Sequence, residues 1–164
     1  MDSFASEAAL HVSRFNEFAQ RHALALKVAP DHICFKCATS ASYEKLRELF
    51  EHESEYIFQS IISGRRIAYI RFKSPLATEL GPIWFLELSD QKPDLSQLEG
   101  FDHIEAYPIS GSYEDMVAEL SKTETVVHVE RPHHTTDDID MGGGFLFRAT
   151  REPLIEKIKR DEMN

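Results

Sequence analysis

Two histidines stand in the same tripeptide, Asp31-His32-Ile33 and Asp102-His103-Ile104, 71 residues apart. A glutamate follows each at a similar distance: Glu87 lies 55 residues after His32, and Glu152 lies 49 after His103. Two neutral imidazoles and two carboxylates suit Zn²⁺, Fe²⁺, Mn²⁺, Co²⁺ or Ni²⁺ without selecting among them. An ion held this way, with coordination positions open, could take a bidentate oxygen ligand and act as a Lewis acid or an oxygen activator. The spacing therefore predicts a divalent metal ion on His32, Glu87, His103 and Glu152.

Strand parity supports the set. Side chains alternate across a strand, so His32, Cys34 and Lys36 share one side while Ile33, Phe35 and Cys37 take the other. Likewise His103 shares a face with Glu105 and Tyr107. Glu87 interrupts Ile83-Trp84-Phe85-Leu86-Glu87-Leu88, where an unpaired buried carboxylate would be costly. Cys34 and Cys37 have C-x-x-C spacing, but inside a strand they face opposite ways. Two reduced, packed thiols are the expectation, not a redox pair.

A second landmark repeats at nearly the same offset. Ser42-Tyr43-Glu44 and Ser112-Tyr113-Glu114 each open an amphipathic stretch, so two copies of one unit are expected. Module one, 30–89, reads as strand 31–38, a helix capped by Ser40 or Ser42 and running to His52, then strands 56–62, 65–73 and 83–88. Ser63-Gly64 marks the hairpin turn. The polar stretch 90–100 links the modules. Module two, 101–152, reads as strand 101–107, a helix from Ser112 to Leu120, and strands 125–130, 133–140 and 145–150, with Gly142-Gly143-Gly144 turning into the last. Apolar residues at helical spacing place an N-terminal helix within 3–27, and Pro153 opens a C-terminal helix at 153–162. The fold class is α+β: two tandem βαβββ modules forming a half-open, cup-shaped sheet in one domain, 1–164, with terminal helices.

The balance of 18 Lys+Arg against 28 Asp+Glu gives a net charge of −10, which repels phosphate backbones and argues against nucleic acid. No apolar run approaches the length of a membrane span. Acidic Asp2 and Glu7 do not read as a signal peptide, so a cytoplasmic protein is expected, as a monomer or homodimer acting on a small molecule.

The chain resembles the vicinal oxygen chelate superfamily, the glyoxalase and extradiol dioxygenase fold, and within it the YecM-like branch. The matching residues are Asp31-His32-Ile33 with Cys37, Ser63-Gly64-Arg65, Glu87-Leu88 and Glu99-Gly100-Phe101-Asp102-His103-Ile104-Glu105. The resemblance implies paired βαβββ modules and a divalent metal in the cup, with His32, Glu87 and His103 on ligand-bearing strands. Relatives carry His-Pro after the final strand, where the nearest equivalent here is Glu152-Pro153, one residue displaced; the alternatives are a site with three protein ligands and more water, or a register that puts Phe147-Arg148 at the fourth position.

Other residues have supporting roles in this reading. Glu105 would orient His103 or serve as a general base, and His133 or His134 would shuttle protons or ligate. Lys36 and Arg71 would anchor an anionic group of the substrate. His11, His22, His52 and His128 carry no spacing argument. The expected function is a metal-dependent lyase, isomerase or dioxygenase. The alternative is a non-catalytic small-molecule binding protein using the same cup without metal.

Overall fold

The computed structural model describes residues 2–131 and 134–162. Helix α1 (Asp2–Arg21) precedes strand β1 (Val28–Lys36), α2 (Ser40–Glu53), β2 (Ser54–Ile62), β3 (Arg65–Thr78) and β4 (Gly81–Ser89). The pattern repeats as β5 (Gly100–Pro108), α3 (Tyr113–Leu120), β6 (Val127–Glu130), β7 (Thr135–Asp140) and β8 (Leu146–Ala149), and α4 (Leu154–Glu162) closes the chain. The two βαβββ modules build one eight-stranded open sheet in the order β2-β3-β4-β1-β5-β8-β7-β6.

The first strands of the two modules meet at the centre of the sheet. β1 and β5 run antiparallel, with Ile33 opposite Ile104, His32 opposite Glu105 and Cys34 opposite His103. Each first strand also pairs in parallel with the last strand of its own module, β1 with β4 and β5 with β8. The antiparallel centre makes the modules related by a pseudo-twofold axis near the Ile33–Ile104 pair.

Parity then divides the sheet. Ile33, Ile104, Leu86 and Phe147 are fully buried on the face that α1 covers with Phe15 and Phe18. The opposite face of the same strands carries His32, Cys34, Glu87, His103 and Glu105. The hydrophobic face anchors the backbone, so each polar neighbour is held in place by an apolar residue one position away. Burial of side chains this large contributes roughly 1.5–3 kcal/mol each.

Local chemistry sets the element ends. Thr39, not Ser40 or Ser42, caps α2: its hydroxyl accepts from the Ser42 backbone N–H at 3.0 Å, and Ser40 is already helical. Ser112 caps α3 as expected, accepting from the Asp115 N–H. Ser63 and Gly64 both have positive φ, 52° and 76°, the conformation of a tight hairpin turn matched to strand twist. Among the described residues no helix is long and apolar enough to cross a membrane.

Candidate functional site

The register brings one imidazole from each module to the middle of the polar face. His32 on β1 and His103 on β5 lie with ring centroids 5.7 Å apart. β4 adds Glu87 beside Cys34, and one ligand atom from each of His32, Glu87 and His103 falls within 4.8 Å of the others. Glu105, opposite His32 in register, places a carboxylate oxygen 3.8 Å from His32 Nε2.

Each histidine is oriented by the aspartate before it. His32 Nδ1 lies 2.7 Å from Asp31 Oδ2, and His103 Nδ1 lies 2.7 Å from Asp102 Oδ2. An Nδ1–H donated to a carboxylate leaves Nε2 as the atom facing the cluster, the usual device for orienting a metal-binding imidazole. Asp31 Oδ2 also accepts the backbone N–H of Leu154 at 3.0 Å, which ties α4 to this histidine. Asp102 is held in turn by Lys36, Nζ to Oδ1 2.6 Å. The doubled Asp signalled this in the sequence, but only as part of a repeat; its orienting role was missed.

His32 Nε2 is buried and has no hydrogen-bond partner. Glu87 Oε2 is 3.5 Å away, an ion-pair distance too long for a good hydrogen bond. A buried polar nitrogen left unpaired is uncommon. The donor chemistry of the surrounding atoms, two imidazole nitrogens and a carboxylate, fits a divalent ion.

The electrostatics of the two imidazoles diverge. Burial works to lower the His32 pKa, but the neighbouring carboxylates of Asp31, Glu87 and Glu105 outweigh burial and leave it well above the usual histidine value. Burial and the Arg148 guanidinium push His103 down to about 4, against the opposing pull of Asp102. Glu87 is buried, which alone would raise it, yet the imidazoles hold it well below the usual carboxylate range.

Arg148 occupies the fourth position. On β8 it pairs with Glu105, as Glu87 on β4 pairs with Cys34, and Cys34 and Glu105 are symmetry-equivalent, each two residues after its histidine. The guanidinium is clamped to Asp138 by Nε at 2.9 Å and Nη2 at 2.8 Å. Its Nη1 lies against the His103 ring, 3.0 Å from Nδ1 and 3.2 Å from Nε2. Glu152 stands four residues further on, past the end of β8, where Arg160 binds both its carboxylate oxygens. The structure therefore does not bring Glu152 to the cluster, and the Phe147-Arg148 register is the one adopted.

The remaining expected residues are dispersed around this centre. Lys36 borders the site through Asp102 and is partly exposed. Arg71 is held by Glu55 at 2.5 Å and stacks over Trp84, 4.7 Å from the ring centroid, so its charge is already engaged. His134 lies close enough to Glu105 for that carboxylate to resist the lowering of its pKa by burial. His133 falls outside the described residues. Cys34 and Cys37 are both free and buried, Cys37 in the core and Cys34 on the site's face, its Sγ 3.3 Å from Glu87 Oε1. Tyr69, another buried residue that sequence reasoning passed over, packs edge-on against the His32 ring at 5.7 Å.

The centre of the polar face is largely closed to solvent. The side chains of His32 and His103 are 1% and 2% exposed, while Glu87 and Asp102 reach solvent at 20% and 19%. Two open clefts, of about 680 and 660 Å³, lie elsewhere: one beside Arg65, Arg66 and Lys92, the other lined by Arg21, His22, Glu119 and Glu124. Neither contains His32 or His103; the strongly shifted groups His32, Glu87 and His103 gather instead at the centre of the polar face, the kind of clustering found at functional sites.

Paired βαβββ modules around a central antiparallel seam, with chemistry-bearing side chains on the first and last strands of each, define a vicinal-oxygen-chelate fold. Within that class the chain belongs to the YecM family, whose description, YecM protein, matches residues 2–140. Protein YecM of Escherichia coli (strain K12) is 27% identical over 108 residues, 64% of this chain and 56% of the relative; the match thus spans about half the length of that relative. A solved structural-genomics structure, protein EC4020, has a TM-score of 0.75 at 22% identity, covering 98% of this chain and 92% of that one. A methylmalonyl-CoA epimerase in complex with methylmalonyl-CoA and NH4+ has a TM-score of 0.50 at 17% identity, covering 79% and 97%. At these identities the solved structures establish the fold alone.

Proposed function

We propose that this chain is a divalent-metal-dependent enzyme acting on a small molecule, with His32, Glu87 and His103 as metal ligands. The observation that carries the reading is the convergence of these three side chains within 4.8 Å around a buried, unpartnered His32 Nε2. A bound ion would act as a Lewis acid toward a substrate offering two adjacent oxygens. Asp31 and Asp102 fix which imidazole nitrogen faces the centre. Glu105, 3% exposed and beside His32, would serve as general base, taking a proton from a substrate bound at the ion. His134, at the rim near Glu105, would pass that proton outward. Lys36, partly exposed, would meet an anionic substrate group, and the crowding of carboxylates around His32 favours a cation there.

Metal analysis of protein prepared without chelator tests the reading. Near-stoichiometric divalent ion is expected in the wild type, with loss of most of it in His32→Ala/His103→Ala. The bound ion should also stabilise the fold reversibly with respect to EDTA, raising Tm by roughly 5–10 °C at a hundredfold excess over Kd. Metal-free wild-type protein, or unchanged metal content in the double variant, would sink it.

One observation favours the alternative of a metal-free binding protein: Arg148 stands at the fourth position with its guanidinium against His103 Nε2. In that reading Arg148 and Lys36 hold an anionic ligand, and thermal stabilisation by such a ligand is indifferent to EDTA.

A further inference from the structure

Cys34 is a free thiol buried on the polar face of the sheet. It follows His32 by two residues on β1 and so shares its face, and the β1–β5 register sets it directly opposite His103. The Glu87 carboxylate bridges the two β1 side chains: Oε1 lies 3.3 Å from Cys34 Sγ and Oε2 lies 3.5 Å from the unpartnered His32 Nε2. One ligand atom from each of Cys34, Asp102 and His103 also falls within 4.8 Å of the others. Cys37, the other thiol, belongs to the hydrophobic core on the opposite face, so Cys34 has no disulfide partner across the sheet. Arg148, meanwhile, removes the fourth carboxylate from the set.

We propose that Cys34 is an additional metal ligand, bound as the thiolate, and that it makes the centre selective for a thiophilic divalent ion such as zinc, iron(II) or cobalt(II) over magnesium or calcium. The inference rests on the metal-centre reading of His32, Glu87 and His103. Thiolate sulfur is a soft donor that prefers these transition ions, whereas magnesium and calcium favour sites built wholly of oxygen. The thiol proton is displaced to solvent as the ion binds, since a coordinating sulfur is deprotonated. Asp102 keeps its place behind His103, holding Nδ1 and the Lys36 ammonium.

Cobalt(II) serves as both ligand and reporter. Metal-free, reduced protein is titrated with cobalt(II), with binding followed by equilibrium dialysis and coordination by the near-ultraviolet thiolate-to-cobalt charge-transfer band. The wild type and Cys37→Ser should both show the band. Cys34→Ser should lose it, bind cobalt roughly tenfold or more weakly, and keep a cobalt stoichiometry of one through the remaining ligands. Cobalt bound by wild-type protein without the band, or a band that survives in Cys34→Ser, overturns the role of Cys34 while leaving the metal centre standing. No cobalt binding by the wild type overturns both.

Discussion

Arg148 stands in the second module where Glu87 stands in the first. Glu87 neighbours Cys34 across the β1–β4 pairing, and Arg148 neighbours Glu105 across the β5–β8 pairing. The pseudo-twofold frame is retained while the charge at one of its four polar positions is reversed. One half of the site offers a carboxylate to a cation, and the other offers a guanidinium whose own counter-ion, Asp138, is built in.

Removing that guanidinium should therefore tighten metal binding. Arg148→Gln alone would leave Asp138 buried without its partner, at a cost of about 3–5 kcal/mol, so the informative variant is Arg148→Gln/Asp138→Asn. It should bind zinc about tenfold or more tightly, a gain of roughly 1.4 kcal/mol, because a positive charge beside His103 Nε2 is gone. Competition against a chromophoric chelator measures the change. Unaltered or weaker affinity in a folded double variant would show that Arg148 does not oppose the ion.

How far the sequence discloses this arrangement depends on the module. The repeated Asp-His-Ile and strand parity lead directly to His32 and His103, and a lone carboxylate within an apolar strand betrays Glu87. The fourth position is concealed because the modules differ in length. Strands β2–β4 have 9, 14 and 9 residues, whereas β6–β8 have 4, 6 and 4. The His-to-partner separation accordingly falls from 55 in module one to 45 in module two. Searching for a carboxylate at a separation close to the first passes over Arg148 and stops at Glu152, 49 residues after His103 and beyond the sheet. The Asp138–Arg148 clamp was illegible for a related reason: it depends on the β7–β8 register, which neither composition nor periodicity specifies.

The two imidazoles should titrate in opposite directions in the metal-free protein. His103, lowered to about 4 from an ordinary 6.5, stays neutral when folded while the unfolded chain takes up a proton. This group therefore costs stability increasingly as pH falls from 6.5 toward 4. His32 is raised, so its contribution is fully present below its ordinary value and is lost as pH rises through its folded value. Imidazole ¹⁵N shifts at about pH 6 should show His32 protonated and His103 neutral. The reverse assignment would contradict the roles given to Arg148 and to the carboxylates around His32.

A substitution on the opposite face should separate folding from binding. Ile33 and Ile104 meet at the central seam and are fully buried. Ile104→Val removes one methylene and should cost about 0.5–1.5 kcal/mol of stability. Chemical denaturation should register that loss, while zinc affinity measured well below the unfolding transition changes less than about twofold. A parallel fall in affinity would mean that the sheet does not insulate the polar face from its core.

The orienting aspartates offer the sharpest test, because they lie outside the proposed ligand set. Asp31→Asn and Asp102→Asn retain the size of the side chain but weaken the charged acceptor that directs each imidazole. Each should lower zinc affinity by about 10–100-fold. The two are not equivalent, however. Asp31 also accepts the Leu154 N–H, so Asp31→Asn should additionally loosen α4, seen as faster amide exchange across 154–162. Asp102 instead anchors Lys36, and its replacement should free that ammonium without affecting the helix. Zinc titration with amide exchange on both variants reads the two effects together. Equal exchange in α4 would break the link from Asp31 to the helix, and unchanged affinity in both would remove the aspartates from any part in metal binding.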